Sequence, residues 1–303
     1  TLALTSLSLM ALASVGHMPS DYTAEGKSME RGLNFILRPG DNSRDILGGY
    51  FGKRDGSQMY GHGITTLALT ELLGMGKDRA QDNLIRDRSI RGIKVILKAQ
   101  KARKSDRKFL GGWRYSPTSN DSDLSVSVWQ LMALRSANNA GLQVPPDAIK
   151  HAVGYLRRSY YSQRDNHTGR PLRTVSGFGY MPDRSPSYAM TAAGMLALQV
   201  VGGYRLPEVE GAAKWLLNRD LGYDEDYFFY GSYYYSQAMK KQGGEYAKHA
   251  RRLIETVLLS KQQSDGSWIG GNPKEEKMGR VYGTAFAILC LSVKHGFLPI
   301  YQD

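Results

Sequence analysis

The segment Leu9-Met10-Ala11-Leu12 returns unchanged as Leu131-Met132-Ala133-Leu134, and this repeat decides the fold. Related apolar tetrapeptides are Thr66-Leu67-Ala68-Leu69, Met195-Leu196-Ala197-Leu198 and Ile288-Leu289-Cys290-Leu291, and a divergent copy lies around Tyr230 to Lys241. Six copies at roughly 60-residue spacing are too far apart for a single-helix repeat, and they fit a helix pair with its loop.

Each copy predicts two kinds of helix. The first is apolar nearly all round and rich in small residues, as in Leu124 to Ala137 and Ala189 to Val201, which predicts burial on both sides. The second is amphipathic: between Leu84 and Gln100 one face carries Ile85, Ile93, Ile96 and Leu97, and charged residues such as Arg86, Arg88 and Lys94 fall elsewhere. The other amphipathic segments are Glu25 to Leu37, Pro146 to Ser159, Pro207 to Leu217 and Glu245 to Gln262.

A buried helix followed by a half-exposed helix, six times over, predicts an all-α (α/α)6 toroid of two concentric helix layers. An open solenoid would leave the concave side of the first helices in water, where polar residues are needed, and these helices are apolar there. About eleven helices are expected, because the last outer helix is absent or lies before the N-terminal cut. Residues 1–303 are predicted to form a single domain cut from a longer protein at its N-terminus, since the chain opens at Thr1.

Composition excludes several classes of protein. Of 303 residues 41% are hydrophobic, which excludes disorder, and one cysteine excludes an internal disulfide framework or a multi-cysteine metal site. No run of 18 uncharged apolar residues occurs, so we expect a soluble domain without a transmembrane helix, in an undetermined compartment. The net charge of +12 indicates a solvated basic exterior; no nucleic-acid motif accompanies it, and peripheral membrane contact and oligomeric state stay open.

One stretch carries a resemblance to a known family. Gln262-Gln263-Ser264-Asp265-Gly266-Ser267-Trp268 fits the Gln-x-x-x-Gly-x-Trp motif of squalene and hopene cyclases, and Gln100 with Trp113 is similar to a stretched second copy. With six helix pairs, the chain resembles the superfamily of squalene cyclases and protein prenyltransferases over nearly its whole length. The resemblance implies the toroid fold and, in the family, a central pocket for an isoprenoid.

The cyclase resemblance implies an acid. Asp121-Ser122-Asp123-Leu124-Ser125 is similar to the cyclase motif Asp-x-Asp-Asp-Thr, so Asp123 would be the general acid and Asp121 its neighbour, with Leu124 in place of the third Asp. A helix dipole at Asp123 would lower its pKa, and a proton donor there needs desolvation or a close like charge. Asp123 as a simple helix N-cap is the alternative.

The prenyltransferase resemblance implies that no zinc is bound. The segment Asp123 to Gln130 is similar to that family's Asp-x-Cys-x-x-x-Trp-Gln, but its cysteine is Ser125, and the later histidine is Gly283. A hydroxyl and a glycine cannot replace thiolate and imidazole ligands. We expect neither a metal nor another cofactor. Complement-like thioester chemistry is also excluded, because Cys290 lies in an apolar segment.

A candidate ligand site follows from the starts of the inner helices. Aromatic residues there would line a central cavity, with His62 as a polar or proton-shuttling group and with Arg114, Arg184 and Arg280 near the rim. Each of these side chains has a structural alternative as core or solvated residue. The predicted cavity-lining aromatic residues are Tyr60, Trp129, Tyr188, Tyr233 and Tyr282.

The sequence predicts two alternative functions, which belong to different functional classes. The first is a metal-independent, terpenoid cyclase-like or prenyltransferase-repeat domain that binds an apolar, isoprenoid-like small molecule, with Asp123 as acid if it is an enzyme. The alternative is a non-catalytic helical ring that binds a protein or glycan partner at its mouth. Neither substrate nor turnover can be assigned from the sequence.

Overall fold

The computed structural model describes residues 1–38, 49–53 and 55–302. Within these residues there are twelve α-helices and no β-strand, apart from isolated bridges. The helices are α1 (Leu2–Ser14), α2 (Ala24–Leu37), α3 (Gln58–Glu71), α4 (Arg79–Gln100), α5 (Leu124–Asn139), α6 (Pro146–Ser159), α7 (Tyr188–Gln199), α8 (Pro207–Leu217), α9 (Phe228–Gln242), α10 (Gly244–Leu259), α11 (Pro273–Glu276) and α12 (Arg280–Ser292).

Six helices form a closed inner ring in the order α1, α3, α5, α7, α9 and α12. Each packs against the next, and α12 packs against α1. The side chains of Ser292 and Ser14 are hydrogen-bonded at 2.7 Å, which joins the last inner helix to the first. The predicted toroid is therefore confirmed, including its closure.

Five helices form the outer layer, each packed on the inner helix that precedes it: α2, α4, α6, α8 and α10. In the described part of the chain no outer helix follows α12. The inner helices are buried on almost all sides, so that every described side chain from Met59 in α3 to Glu71 is buried except Tyr60. None of the described helices is both long and apolar enough to cross a membrane.

Local signals set the helix ends. Asp123, Ser187 and Thr23 accept backbone N–H bonds at the starts of α5, α7 and α2, which satisfies donors that the first turn leaves unpaired. Pro146 and Pro207 occupy the first position of α6 and α8, where a missing N–H removes no helical bond. The sequence does not predict the short helix α11, because four residues are too few to show a periodic pattern.

Two tryptophans clamp outer helices to the following loops with the same geometry. The Trp113 indole donates to Ile96 O and the Trp268 indole to Leu258 O, both at 2.8 Å. The two carbonyls lie four residues before Gln100 and Gln262, whose amides donate to Gly111 O and Gly266 O at 3.0 Å. Both glycines have a left-handed backbone, with φ of +86° and +81°, which favours glycine there. The predicted second copy of the motif therefore matches the first in structure.

Leu131→Ala in the inner helix α5 tests the layer assignment. Leu131 has no exposed surface, so we expect this cavity-forming change to lower the free energy of unfolding by about 2–5 kcal/mol. Lys94→Ala on the exposed face of α4 is the control, and it should cost less than about 0.5 kcal/mol. Urea unfolding of both variants gives the comparison, and equal losses would contradict the two-layer assignment.

Candidate functional site

The inner helices all begin at one end of the ring, which we call the mouth. The Met59 N–H, in the first turn of α3, donates to Tyr115 O in the loop before α5 at 2.9 Å. The Leu124 N–H at the start of α5 donates in the same way to Tyr180 O before α7 at 2.8 Å. Each loop is thus held against the preceding inner helix. The helix dipoles make the mouth the positive end of the ring.

Asp123 caps α5 at the floor of the mouth. Its Oδ1 accepts from the Val126 N–H at 2.8 Å and from the Ser125 hydroxyl at 2.7 Å. Its Oδ2 lies 3.5 Å from the Arg114 Nε and has no hydrogen-bond partner. The side chain is completely buried, and this burial raises the pKa of its carboxyl despite the helix N–H, Ser125 and Arg114. The structure confirms that Asp123 is the N-cap of α5. The lowering of its pKa that the helix dipole alone would cause is outweighed by burial.

Arg114 joins the two aspartates of the predicted acid motif. Its Nη1 lies 2.9 Å from Asp121 Oδ2, while its Nε faces Asp123. The guanidinium also lies 5.0 Å from the centre of the Tyr115 ring and 5.7 Å from that of Tyr180, and the two tyrosine hydroxyls are hydrogen-bonded to each other. Two carboxylates, one cation and two aromatic rings are therefore fixed in one cluster.

Tyr60, in the first turn of α3, joins this cluster. Its hydroxyl donates to Ser125 Oγ, which itself donates to Asp123, and its ring stacks on Tyr115 with centroids 5.9 Å apart. Burial, followed by the proximity of Tyr230 and Asp123, raises the pKa of Tyr60 well above its ordinary value. Tyr60 therefore remains a neutral hydrogen-bonding phenol at physiological pH.

Tyr282 lies on the α12 side of the mouth and contacts a carboxylate that the sequence did not single out. Its hydroxyl donates to Glu275 Oε1 at 3.2 Å. The Glu275 carboxylate also accepts from the Phe229 and Tyr230 N–H groups, both at 3.2 Å, and so caps α9 from the short helix α11. Glu275 is 1% exposed, and burial raises its pKa.

The centre of the ring is filled by aromatic side chains. Trp129 stacks on Tyr233 with centroids 5.5 Å apart and an interplanar angle of 12°, and neither residue has exposed surface. Tyr188 is 2% exposed, bonds Ser232 through its hydroxyl at 3.2 Å and packs on Tyr235. Trp129, Tyr188 and Tyr233 therefore form the packed core.

His62 lies away from the mouth, between α3 and the outer helix α4. Its Nδ1 accepts from the Phe51 N–H at 3.3 Å, and its Nε2 lies 3.1 Å from Gly92 O, which assigns the proton to Nε2. The ring packs on Phe51 and Tyr50 and is completely buried. Burial lowers the pKa of His62 to about 4, so the imidazole is neutral, and both of its nitrogens contact backbone groups of the protein.

The structure brings some of the predicted site residues together and separates others. Asp121, Asp123 and Tyr60 meet at one wall of the mouth, and Tyr282 lies on another. Arg280 is exposed and forms an ion pair with Asp265 at 2.6 Å. The catalytic and ligand-binding roles of these residues stay predictions.

Sequence reasoning missed Tyr115, Tyr180 and Glu275. A signal for the first two was present, because each ends a glycine-rich loop: Gly111-Gly112-Trp113-Arg114-Tyr115 and Gly177-Phe178-Gly179-Tyr180. These loops precede successive inner helices, so their last aromatic residues are carried to the same end of the ring. Glu275 has no comparable signal, because its contacts come from a different inner helix.

Comparisons with known proteins relate the chain to others through its fold. No protein-family model matches the sequence, and no curated protein matches it. An inactive alpha-1,6-mannanase GH76A of Salegentibacter sp. HEL1_6, with two consecutive aspartates replaced by asparagine and solved with alpha-1,6-mannotriose, matches with a TM-score of 0.61 at 10% identity. A variant with alanine at both positions, solved with alpha-1,6-mannotetrose, matches with 0.60 at 9% identity. Both alignments cover 96% of this chain and 88% of the mannanase.

These comparisons correct the family resemblance. The prediction of a squalene cyclase or protein prenyltransferase repeat is wrong, because the structural neighbours are alpha-1,6-mannanases. The Gln262 to Trp268 motif connects an outer helix to the next loop. This connection stabilises the ring independently of the ligand. It therefore predicts the fold correctly and the family incorrectly.

The predicted isoprenoid-like ligand and apolar small-molecule partner are also wrong. The central cavity on which they depend is filled by the stacked rings of Trp129 and Tyr233, and the structural neighbours carry sugars. Tyr188 packs in the same core, which leaves Tyr60 and Tyr282 as the predicted ligand residues that reach the half-exposed mouth.

His62 gives the protein an acid-dependent stability. Because the folded pKa is about 4 and the unfolded value about 6.5, the unfolded chain binds a proton first as the pH falls. The stabilisation from neutral His62 is complete above about pH 6.5 and is lost towards pH 4. Between about pH 7.5 and 5, His62 should therefore lower the free energy of unfolding of the wild type by about 2 kcal/mol. We expect this contribution to be absent in His62→Gln.

The control for this measurement is His249→Gln on the exposed face of α10. Urea unfolding at the two pH values should give the control the same pH dependence as the wild type. A His62→Gln variant with the full wild-type loss would show that His62 titrates in the folded protein.

Proposed function

We propose that the mouth of the ring binds a glycan. The observation that carries the proposal is the cluster of Arg114, Asp121, Tyr60, Tyr115 and Tyr180, in which aromatic faces and charged hydrogen-bonding groups are fixed side by side. Such a combination suits a sugar, whose ring has apolar C–H faces and a rim of hydroxyls. The packed centre leaves this half-exposed cluster as the place where a ligand can enter.

The tyrosines supply the stacking surfaces. Tyr115 is 38% exposed, and Tyr60, Tyr180 and Tyr282 are half-buried, so each offers part of a ring to a ligand while its position is fixed from behind. Pre-organised aromatic rings give contact area at a low cost in conformational entropy. The hydroxyls of Tyr60 and Tyr282 are already bonded to Ser125 and Glu275, which fixes their orientation.

Charged groups supply the hydrogen bonds. Asp121 is partly exposed and Arg114 is held by both aspartates, so a ligand hydroxyl can donate to Asp121 and accept from Arg114 without either side chain having to be ordered first. The structural neighbours, solved with alpha-1,6-mannotriose and alpha-1,6-mannotetrose, support a neutral hexose oligosaccharide as the first ligand to test.

Binding without hydrolysis is the form of the proposal that the site favours. Asp123 is completely buried below the surface that a sugar can reach, and its pKa is raised. The sequence contains no Asp-Asp pair, whereas replacement of two consecutive aspartates defines the inactive mannanase variants. Hydrolysis is the second candidate, because glycosidases work with two carboxyl groups, one of them protonated, and Asp121 and Asp123 flank one guanidinium.

Removal of the most exposed mouth tyrosine tests the binding proposal. We expect alpha-1,6-mannotetraose to bind the wild type in calorimetry and Tyr115→Ala to weaken the affinity about threefold to tenfold, through loss of the stacking face. Tyr22→Ala is the matched control, since Tyr22 is fully exposed in the loop at the opposite end of the ring. Equal affinity for all three proteins would exclude the mouth, and no binding of the wild type would contradict this ligand.

Asp123→Asn separates binding from hydrolysis. The amide oxygen keeps the cap on α5 but removes the titrating proton, so we expect unchanged oligosaccharide affinity and a small change in stability. Release of reducing ends from the oligosaccharide should be absent in both proteins. Release by the wild type that falls about a hundredfold or more in Asp123→Asn would instead assign Asp123 as a general acid.

A further inference from the structure

The positive charge of the chain is concentrated in one region. Residues 86–173 contain 18 of the 40 lysines and arginines but only 6 of the 28 aspartates and glutamates. The surplus of 12 equals the net charge of the whole chain, so the remaining residues are balanced. This region comprises most of α4, the loop to α5, α5 itself, α6 and the segment that follows α6.

Most arginines near the end of α6 form ion pairs or hydrogen bonds within the protein. Arg157 and Arg164 both bind the buried Glu208, with N–O distances of 2.8 and 2.9 Å, and so fasten the segment after α6 to α8. Arg158 donates to the carbonyls of Lys108 and Leu110. Arg173 differs from them, because it forms no ion pair with a carboxylate of the described residues and packs 4.9 Å above the Tyr161 ring.

Arg173 lines a cavity of about 470 Å³ together with Arg158, Tyr161, Ser162, Gln163 and Asp183, which we call the rim cavity. Its walls are held by the backbone: Leu172 N–H donates to Gln163 O at 2.9 Å, and Arg173 N–H donates to Ser162 Oγ at 2.8 Å. Its carboxylate, Asp183, lies 3.5 Å from Lys108 Nζ. The balance of charge in and beside the cavity is therefore positive.

The rim cavity adjoins the mouth. Tyr180 lies in the mouth cluster and Asp183 lines the cavity three residues later, so their Cα atoms are at most about 11 Å apart. A chain of a few sugars that leaves the mouth along this loop reaches the cavity. The aromatic ring, the hydroxyl and the amide of the cavity match a sugar. The guanidinium of Arg173, which no carboxylate of the described residues pairs, matches an anionic group on it.

We infer that the rim cavity is a subsite for an anionic sugar, so that the preferred ligand is a glycan bearing a phosphate or carboxylate a few units from the sugar held in the mouth. This inference rests on the proposed function and adds a substrate class to it. Arg173 binds the anionic group, and Tyr161 supports the guanidinium from behind. A nucleic acid is the competing polyanion, but the half-buried tyrosine cluster next to the cavity favours a glycan.

Three tetrasaccharides test the subsite in calorimetry at low ionic strength: alpha-1,6-mannotetraose, the same compound with a terminal phosphate ester, and a tetrasaccharide ending in a uronic acid. The wild type should bind at least one anionic probe about tenfold more tightly than the neutral one, and the larger gain identifies phosphate or carboxylate. Arg173→Gln should abolish that gain and leave the neutral affinity unchanged. Arg170→Gln, an exposed arginine of the same segment that does not line the cavity, should keep the gain.

Each other outcome has a definite meaning. Binding of the neutral probe without any gain from the anionic ones overturns the subsite and leaves the proposed function intact. Loss of the gain in Arg170→Gln as well as in Arg173→Gln shows a diffuse charge effect and overturns the subsite. Tighter, Arg173-dependent binding of a short single-stranded RNA would replace the glycan by a nucleic acid, and failure of every tetrasaccharide to bind overturns both proposals.

Discussion

The inner helices are buried on both sides, and this constraint shapes the rest of the molecule. A helix with neighbours on either flank, an outer helix behind it and a packed centre in front has no face on which charge can be left in water. Some of its polar groups pair internally, as Ser14 does with Ser292, and others lie at the helix ends. Chemistry in this fold is therefore confined to the two ends of the ring and to the outer surface.

The two ends differ in what they leave accessible. Opposite the mouth, the turn Pro299–Tyr301 packs against the ring with Ile300 and Tyr301 buried, and Glu71 accepts from the Ile300 N–H at 2.9 Å. Glu71 is itself buried, which raises its pKa to about 7. At the mouth, the loops between outer and inner helices are longer and carry tyrosines and arginines. The end with the longer loops is thus the end where the helix dipoles favour negative charge.

The mouth cluster shows how the scaffold fixes functional groups without a rigid sheet. Arg114 is held between two carboxylates and two tyrosine rings that come from two loops, the one before α5 and the one before α7. The Trp113 clamp on α4 fixes the loop before α5, and the first turns of α3 and α5 hold the two loops through backbone hydrogen bonds. Support of this kind gives the site its order before a ligand arrives, so little entropy is lost on binding.

The sequence by itself determined the helices and their layers. The bounds of α6 and α8 follow from proline starts and amphipathic spacing, and the all-round apolar character of α5 and α7 indicates the inner ring, because periodicity and burial are local properties of the chain. It also placed Asp121, Asp123 and Tyr60 at a common end. Tertiary structure decided the rest. Whether Trp129 and Tyr233 line a cavity or fill it depends on their distance across the ring, and the pairing of Arg157 and Arg164 with Glu208 depends on how α8 packs beside α6. Both are contacts between residues distant in the chain, which periodicity and motifs do not predict.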